Sequence, residues 1–271
     1  MPVTFPAHQG LIVPVKLKWP NAIDGTALCI SAAAPDTAYA LGTWLNAQSH
    51  TALGVFVWAL PFTLVITSLV RWRAASGIFA ALPDLGPLQL RSYRVLGTRR
   101  PSIFVTVFSA LLGAASHVVI DGFTHAGRFG SNLLGMNDVL FTAPIRGDMT
   151  AARVLQYIGH VGGTILFVGA LLIVASSGRL ERWYGEEAVA EARAVILSPA
   201  KRLMFWAAVV ASVAGAVALA LAAGRSALFL SVTVLVLALV GSGVVLGHDL
   251  QTAGPADEGR ANEESVRADG R

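Results

Sequence analysis

Residues 102–125 read SIFVTVFSALLGAASHVVIDGFTH: nineteen residues without Asp, Glu, Lys or Arg, then Asp121, with His117, Asp121 and His125 spaced by four. An uncharged run of this length can cross a bilayer, which takes about 20 residues. Four more windows of the same kind lie at roughly 51–70, 154–178, 203–224 and 226–247. The chain is 55% apolar and only 13% charged over 271 residues, with mean hydropathy +0.64. A soluble domain carries about 25% charged residues. The fold expected is therefore all-α: a polytopic membrane helical bundle of about five transmembrane helices.

Residues 1–50 carry no such window. The stretch 22–45 is fairly apolar but is broken by Pro35-Asp36. A proline followed by an acid after a short apolar run reads as a short helix ending at Asp36, hence a re-entrant or interfacial segment packed on the bundle, with a sixth span as the alternative. Pro61, inside the first window, is expected to kink that helix without abolishing it. Residues 1–250 read as one membrane domain: 1–50 the N-terminal segment, 51–178 the first three spans, 203–247 the last two. The polar tail 251–271 is expected to be disordered. Segment 181–195 reads as a surface helix with a solvated charged face. The first residues lack the basic and apolar regions of a signal peptide.

The basic residues are unevenly placed. Loop 71–101 holds six (Arg71, Arg73, Arg91, Arg94, Arg99, Arg100), loop 179–202 holds five, and the tail holds three. The six others are Lys16, Lys18, Arg128, Arg146, Arg153 and Arg225. By the positive-inside rule the N-terminus lies outside and the C-terminus in the cytoplasm. Cations gathered in short loops between apolar runs mark orientation rather than nucleic-acid binding. The single cysteine, Cys29, excludes an intrachain disulfide and a cysteine-rich zinc motif.

On this topology His8, His50, His117, His125 and His160 fall on the outer side together with Asp36 and Asp121, and only His248 falls on the other. Residues four apart share a helix face, about 6 Å apart along the axis, so His117 and Asp121 can ligate one metal. His125 would lie about 12 Å from His117 on a continuous helix. Either the helix stops near Gly122 and His125 folds back, or Asp121 bridges two ions with one histidine on each. Each pair also has a bland reading as a hydrogen-bonded helix end, since a membrane histidine needs a partner. The glycines 159, 162 and 163 around His160 imply close helix packing.

The runs MPVTFPAHQGLIVPVKLKWP, AAAPD, SHTALGVFVWALPF and HVVIDGFTHAGRFG resemble the bacterial membrane family called domain of unknown function 4184, over roughly residues 1–178 and more loosely beyond. The resemblance implies His8, Asp36, His50, His117, Asp121 and His125 as the family's marked positions. Two departures are the extra Phe5 before Pro-Ala-His and Ile120 where the family tends to have tryptophan. The family is similar in motif order to bacterial inner-membrane proteins described as metal-dependent hydrolases. Here Ala38 stands where those have a second acid, and the histidine preceding the His50 position is missing, so fewer ligands are kept.

The expected function is a membrane-embedded metal-dependent hydrolase with a divalent metal, zinc by default, held among His8, Asp36, His50, His117, Asp121 and His125. Asp36 or Asp121 would serve as general base. The substrate expected at headgroup depth is a lipid or lipid-linked phosphoester, with loop 126–156 as a lid and Arg128 and Arg146 available to a phosphate. The alternatives are a divalent-cation or proton transporter, and a non-catalytic protein with a structural metal. Ligands crowded at one end of the spans count against transport, whose sites lie near the midplane.

Overall fold

The computed structural model describes residues 5–40, 48–223 and 241–246. Most of the expected fifth span, the tail 251–271, Arg225 and His248 lie outside the described residues. Among the described residues, four helices are long and apolar enough to cross a membrane: Ala52–Ala81, Ile103–Thr124, Ala151–Ser176 and, within a longer helix, Pro199–Ala218. In chain order the elements are α1 (Ala7–Lys18), α2 (Gly25–Ser31), α3 (Ala34–Thr37), α4 (Ala52–Ala81), α5 (Ile103–Thr124), α6 (Phe129–Leu133), α7 (Ala151–Ser176), α8 (Arg179–Tyr184), α9 (Glu186–Ala194) and α10 (Pro199–Ala223). A short antiparallel hairpin, β1 (Val139–Ala143) and β2 (Gly147–Thr150), interrupts the loop before α7. The protein is an all-α polytopic bundle.

The helices are inside-out relative to a soluble core. On α5 the buried residues are Thr106, Ser109, Ala110, Gly113, Ala114, His117 and Asp121, small or polar at helical spacing, while Ile103, Phe104, Phe108 and Val119 are exposed. Small residues let helices approach closely in a membrane, and large apolar ones face lipid. Ser102 caps the start of α5 by accepting from the Val105 N–H. Among the described residues of α10, only Phe205 is buried.

The N-terminal segment is a helical hairpin inserted into the bundle, α1 descending and α2–α3 returning. At 12 residues, α1 is about 18 Å long, shorter than a hydrocarbon core of about 30 Å. It crosses α7 where Gly10 meets Gly163: a Cβ on Gly10 would fall on the Gly163 carbonyl oxygen, and one on Gly163 on that of Ala7. Gly159 and Gly162, expected to pack closely too, face open space. α2 seats on α5 at Gly113, whose Cβ would strike the Ser31 hydroxyl and the Leu28 carbonyl. The expected single helix ending at Asp36 is two short helices, with Asp36 inside the second.

Three further expectations need correction. α4 runs on to Ala81, so Arg71 and Arg73 are helical, not loop cations. Arg71 is buried and its guanidinium binds the Asp24 carboxylate and the Thr106 hydroxyl, which removes the reason to end the span at the first charge. Lys16 and Lys18 sit at the opposite end of the bundle from the histidines. The Lys16 ammonium bonds the Pro20 and Ile23 carbonyls, beside Trp183, so these two lysines join the basic end. Segment 181–195 is broken at Gly185 (φ 93°), and it buries Ala188, Val189 and Ala192 against Tyr93, Val95, Val174, Ala175 and Leu180. Pro61 is absorbed by a π turn at Val55–Ala59, where the Leu60 N–H reaches the Val55 carbonyl.

Candidate metal centre

The α1–α3 hairpin, the start of α4 and the far ends of α5 and α7 converge on one polar cluster. Pairing along α5 puts His117 and Asp121 on its inner face. The hairpin adds His8 from the first turn of α1 and Asp36 from α3, and the segment preceding α4 adds His50. His117 is fully buried, His8, His50 and Asp121 are nearly so, and Asp36 retains 15% side-chain exposure.

Four ligand-type atoms face one another: Asp36 Oδ1, His50 Nε2, His117 Nε2 and Asp121 Oδ2, all within 4.8 Å. His50 Nε2 lies 3.2 Å from Asp36 and 3.4 Å from Asp121. His117 Nε2 is 3.5 Å from each of these carboxylate oxygens and 3.3 Å from His50 Nε2. A tetrahedral zinc site with bonds of about 2.0–2.15 Å has ligand-to-ligand edges of about 3.3–3.5 Å. Five of the six edges fall at or next to that value.

The outer contacts fix what the rings offer. His117 Nδ1 is 2.8 Å from the Ala32 carbonyl, which can only accept, so Nδ1 carries the proton and a neutral ring presents a lone pair at Nε2. His50 Nδ1 meets the Ser49 hydroxyl at 2.9 Å. Burial opposes charging His50, but Asp121 and Asp36 outweigh it and hold its pKa above the ordinary value. A cluster of acceptors packed this tightly needs a cation, whether protons or a metal ion.

The second Asp121 oxygen opens onto an adjoining pair of histidines. Oδ1 has His8 Nε2 at 3.3 Å and His125 Nδ1 at 3.5 Å, yet makes no well-aligned hydrogen bond. α5 continues two residues past Gly122 to Thr124. His125 then leaves the helix with extended backbone (φ −107°, ψ 127°) and its ring turns back, which is the fold-back arrangement. Its Nε2 touches the Gln156 amide at 2.7 Å. Burial lowers the His125 pKa, and Arg128 lowers it further. His8 stacks on His117 with centroids 3.9 Å apart, and His160 lies edge-on to His8 at 6.4 Å, at the margin of the cluster.

Sequence reasoning missed Ser49, Gln156 and the Ala32 carbonyl. Gln156 stands four residues before His160 and Ser49 directly precedes His50, which are usable signals; a carbonyl leaves none. It also missed Asp24, which accepts from Arg71, from Thr106 Oγ1 at 2.7 Å and from the Thr26 and Ala27 N–H groups. Arg146 is held by Tyr157, its Nη1 3.0 Å from the hydroxyl, whereas Arg128 lies close enough to act on His125.

No curated protein and no solved structure matches the chain. The model of a family described as "Domain of unknown function (DUF4184)" matches residues 1–248, and the chain belongs to that family.

Proposed function

We propose that this protein is a membrane-embedded metal-dependent hydrolase whose ion, zinc by preference, is held by Asp36, His50, His117 and Asp121. The observation that carries the reading is the set of five edges of 3.2–3.5 Å among four buried or half-buried acceptor atoms. The imidazole and carboxylate donor set suits zinc, with manganese and iron as competitors. When bound, the metal supplies Lewis-acid polarisation of a phosphoryl or acyl oxygen and lowers the pKa of a water to about 7.

The chain's own groups divide the remaining work. His117 is anchored through Ala32 and serves as a fixed ligand. Asp121 faces the four-atom cluster through Oδ2 and the His8 and His125 rings through Oδ1. Asp36 is the more exposed carboxylate, so it is the better placed to accept a proton at the mouth of the site. His8 and His125 flank Asp121 Oδ1, and a second ion would be held by these three residues. Arg128 stands near the opening, where it meets an anionic substrate.

A lipid or lipid-linked phosphoester is the substrate class favoured. Segment 129–145, between α5 and α7, exposes Leu133, Leu134, Leu140, Phe141 and Ile145, an apolar surface beside the site that suits a membrane interface. With Lys16 and Lys18 reassigned to the basic end, the positive-inside argument for an outward-facing site grows stronger. The position of His117 and Asp121 toward one end of α5 disfavours a transport site at mid-membrane.

The test is purification of the full chain, metal analysis, and assay against phospholipid and soluble phosphoester substrates, with His117→Ala and Asp121→Ala alongside. About one or two equivalents of divalent metal, lost in both variants together with hydrolysis, is the expected result. A folded wild-type protein that neither holds nor takes up metal would sink the reading. Metal binding with ion flux into liposomes and no hydrolysis would replace it with transport.

A further inference from the structure

A second feature lies at the other end of the bundle and is independent of the metal centre. A cavity of about 320 Å³ opens between the tip of the α1–α2 hairpin, the segment leading into α5, and the end of α8. Its volume is at the lower end of the range of small-ligand sites, about 300–1,000 Å³. Three cations line it, Lys16, Arg99 and Arg100, with Asn21 and the rings of Trp183 and Tyr184; among the described residues no acidic side chain does.

The cations are arranged differently. Lys16 is buried, with its ammonium 2.9 Å from the Ile23 carbonyl, 2.5 Å from that of Pro20, and 5.0 Å from the Trp183 ring centre. Two carbonyls occupy two of its three N–H donors and neither neutralises its charge. Arg99 and Arg100 are exposed, and among the described residues neither side chain forms an ion pair or hydrogen bond. The nearby carboxylate, Asp24, is engaged by Arg71, Thr106 and the first turn of α2. The cavity therefore holds net positive charge.

Its depth in the membrane follows from the chain. Arg99 and Arg100 stand three or four residues before Ile103, the first residue of a spanning helix, and so lie at the level of the headgroups. Trp19 and Trp72 are exposed at the same end, as in the aromatic belts of membrane–water interfaces. Basic pockets between helices at this level bind phosphate-bearing lipid headgroups. We propose that this cavity is a binding site for the phosphate headgroup of an anionic membrane lipid, gripped by Arg99 and Arg100 above the buried Lys16 charge.

The test uses the full chain in neutral detergent, with retention of phosphatidylglycerol and phosphatidylcholine compared by native mass spectrometry. The wild type should retain the anionic lipid at least about tenfold more strongly. Arg99→Gln/Arg100→Gln should fall to the phosphatidylcholine level, because both side chains are exposed and free of structural partners. A control with equal charge loss outside the cavity, Arg73→Gln/Arg179→Gln, should keep the preference. Equal anionic-lipid retention by wild type and the Arg99/Arg100 variant overturns the site. Displacement of the lipid by millimolar inorganic phosphate overturns the lipid assignment in favour of a free anion.

Discussion

His117 Nδ1 lies 2.8 Å from the Ala32 carbonyl oxygen, joining α5 to the returning arm of the N-terminal hairpin across 85 residues of sequence. One hydrogen bond fixes the tautomer and aims Nε2 at Asp36, His50 and Asp121. Ser49 Oγ, 2.9 Å from His50 Nδ1, orients the His50 ring without fixing its tautomer. Outer contacts of this kind are worth 10–100-fold in metal affinity. Ser49→Ala is therefore expected to weaken metal binding by about tenfold or more, measured by chelator competition, while His117→Ala abolishes it. Unchanged affinity in both variants would remove His50 and His117 from the site.

Asp24 and Arg71 form a buried ion pair that pins the hairpin tip to α4. Removing one partner of such a pair costs about 3–5 kcal/mol, because the other charge is left in a dry interior. Arg71→Met should lower the thermal unfolding midpoint in detergent sharply. Asp24→Leu/Arg71→Met should recover a large part of the loss, short of the whole because Asp24 also caps α2.

The glycine contacts predict a graded response. Gly163→Leu must displace α1, since its Cβ would collide with the Ala7 backbone, and it should cost at least about 1–3 kcal/mol. Because His8 directly follows Ala7, the same variant should perturb the environment of Asp121 Oδ1. Gly159→Ala, facing open space, should be neutral or slightly stabilising. Equal unfolding midpoints for the two variants would contradict the α1–α7 crossing.

Asp84 and Arg91 close the turn after α4 through two hydrogen bonds, 3.1 Å from the Arg91 N–H and 2.9 Å from its Nε. Partial burial opposes ionisation of Asp84, but the Arg91 contacts outweigh it and lower its pKa. A depressed carboxylate pKa adds stability above the unfolded value of about 3.9 and loses it as pH falls through the folded value. Asp84→Asn should cost about 1 kcal/mol or less at neutral pH, and the difference from wild type should vanish in acid.

Orientation can be read by labelling. With Cys29 replaced by alanine, a cysteine at exposed Leu133 should react with an impermeant reagent added outside intact cells, and one at Arg99 only after permeabilisation. The reverse pattern would turn the site to the cytoplasm.

Much of this architecture is legible one residue at a time. Four apolar windows became spans because hydropathy sums over neighbours, and His-x-x-x-Asp became a shared face because helical geometry repeats locally. Charge counting failed at Arg71 for a physical reason. A charged residue ends a span only if it lacks a partner, and the partner, Asp24, stands 47 positions away. Lys16 was placed at the wrong end because the short apolar run of α1 does not announce that the chain passes to the basic end and returns within its first 36 residues.

The sequence by itself determined that this chain is a membrane helical bundle and which histidines and acids gather at one end of it. Only the tertiary structure decided that they close on a common point. His117 meets His50 across 67 residues, and Ala32 orients His117 across 85, through packing at glycines that allow two helix pairs to touch. Hydropathy and helical period are local quantities, whereas a coordination geometry is a set of distances between distant residues, fixed only when the helices pack.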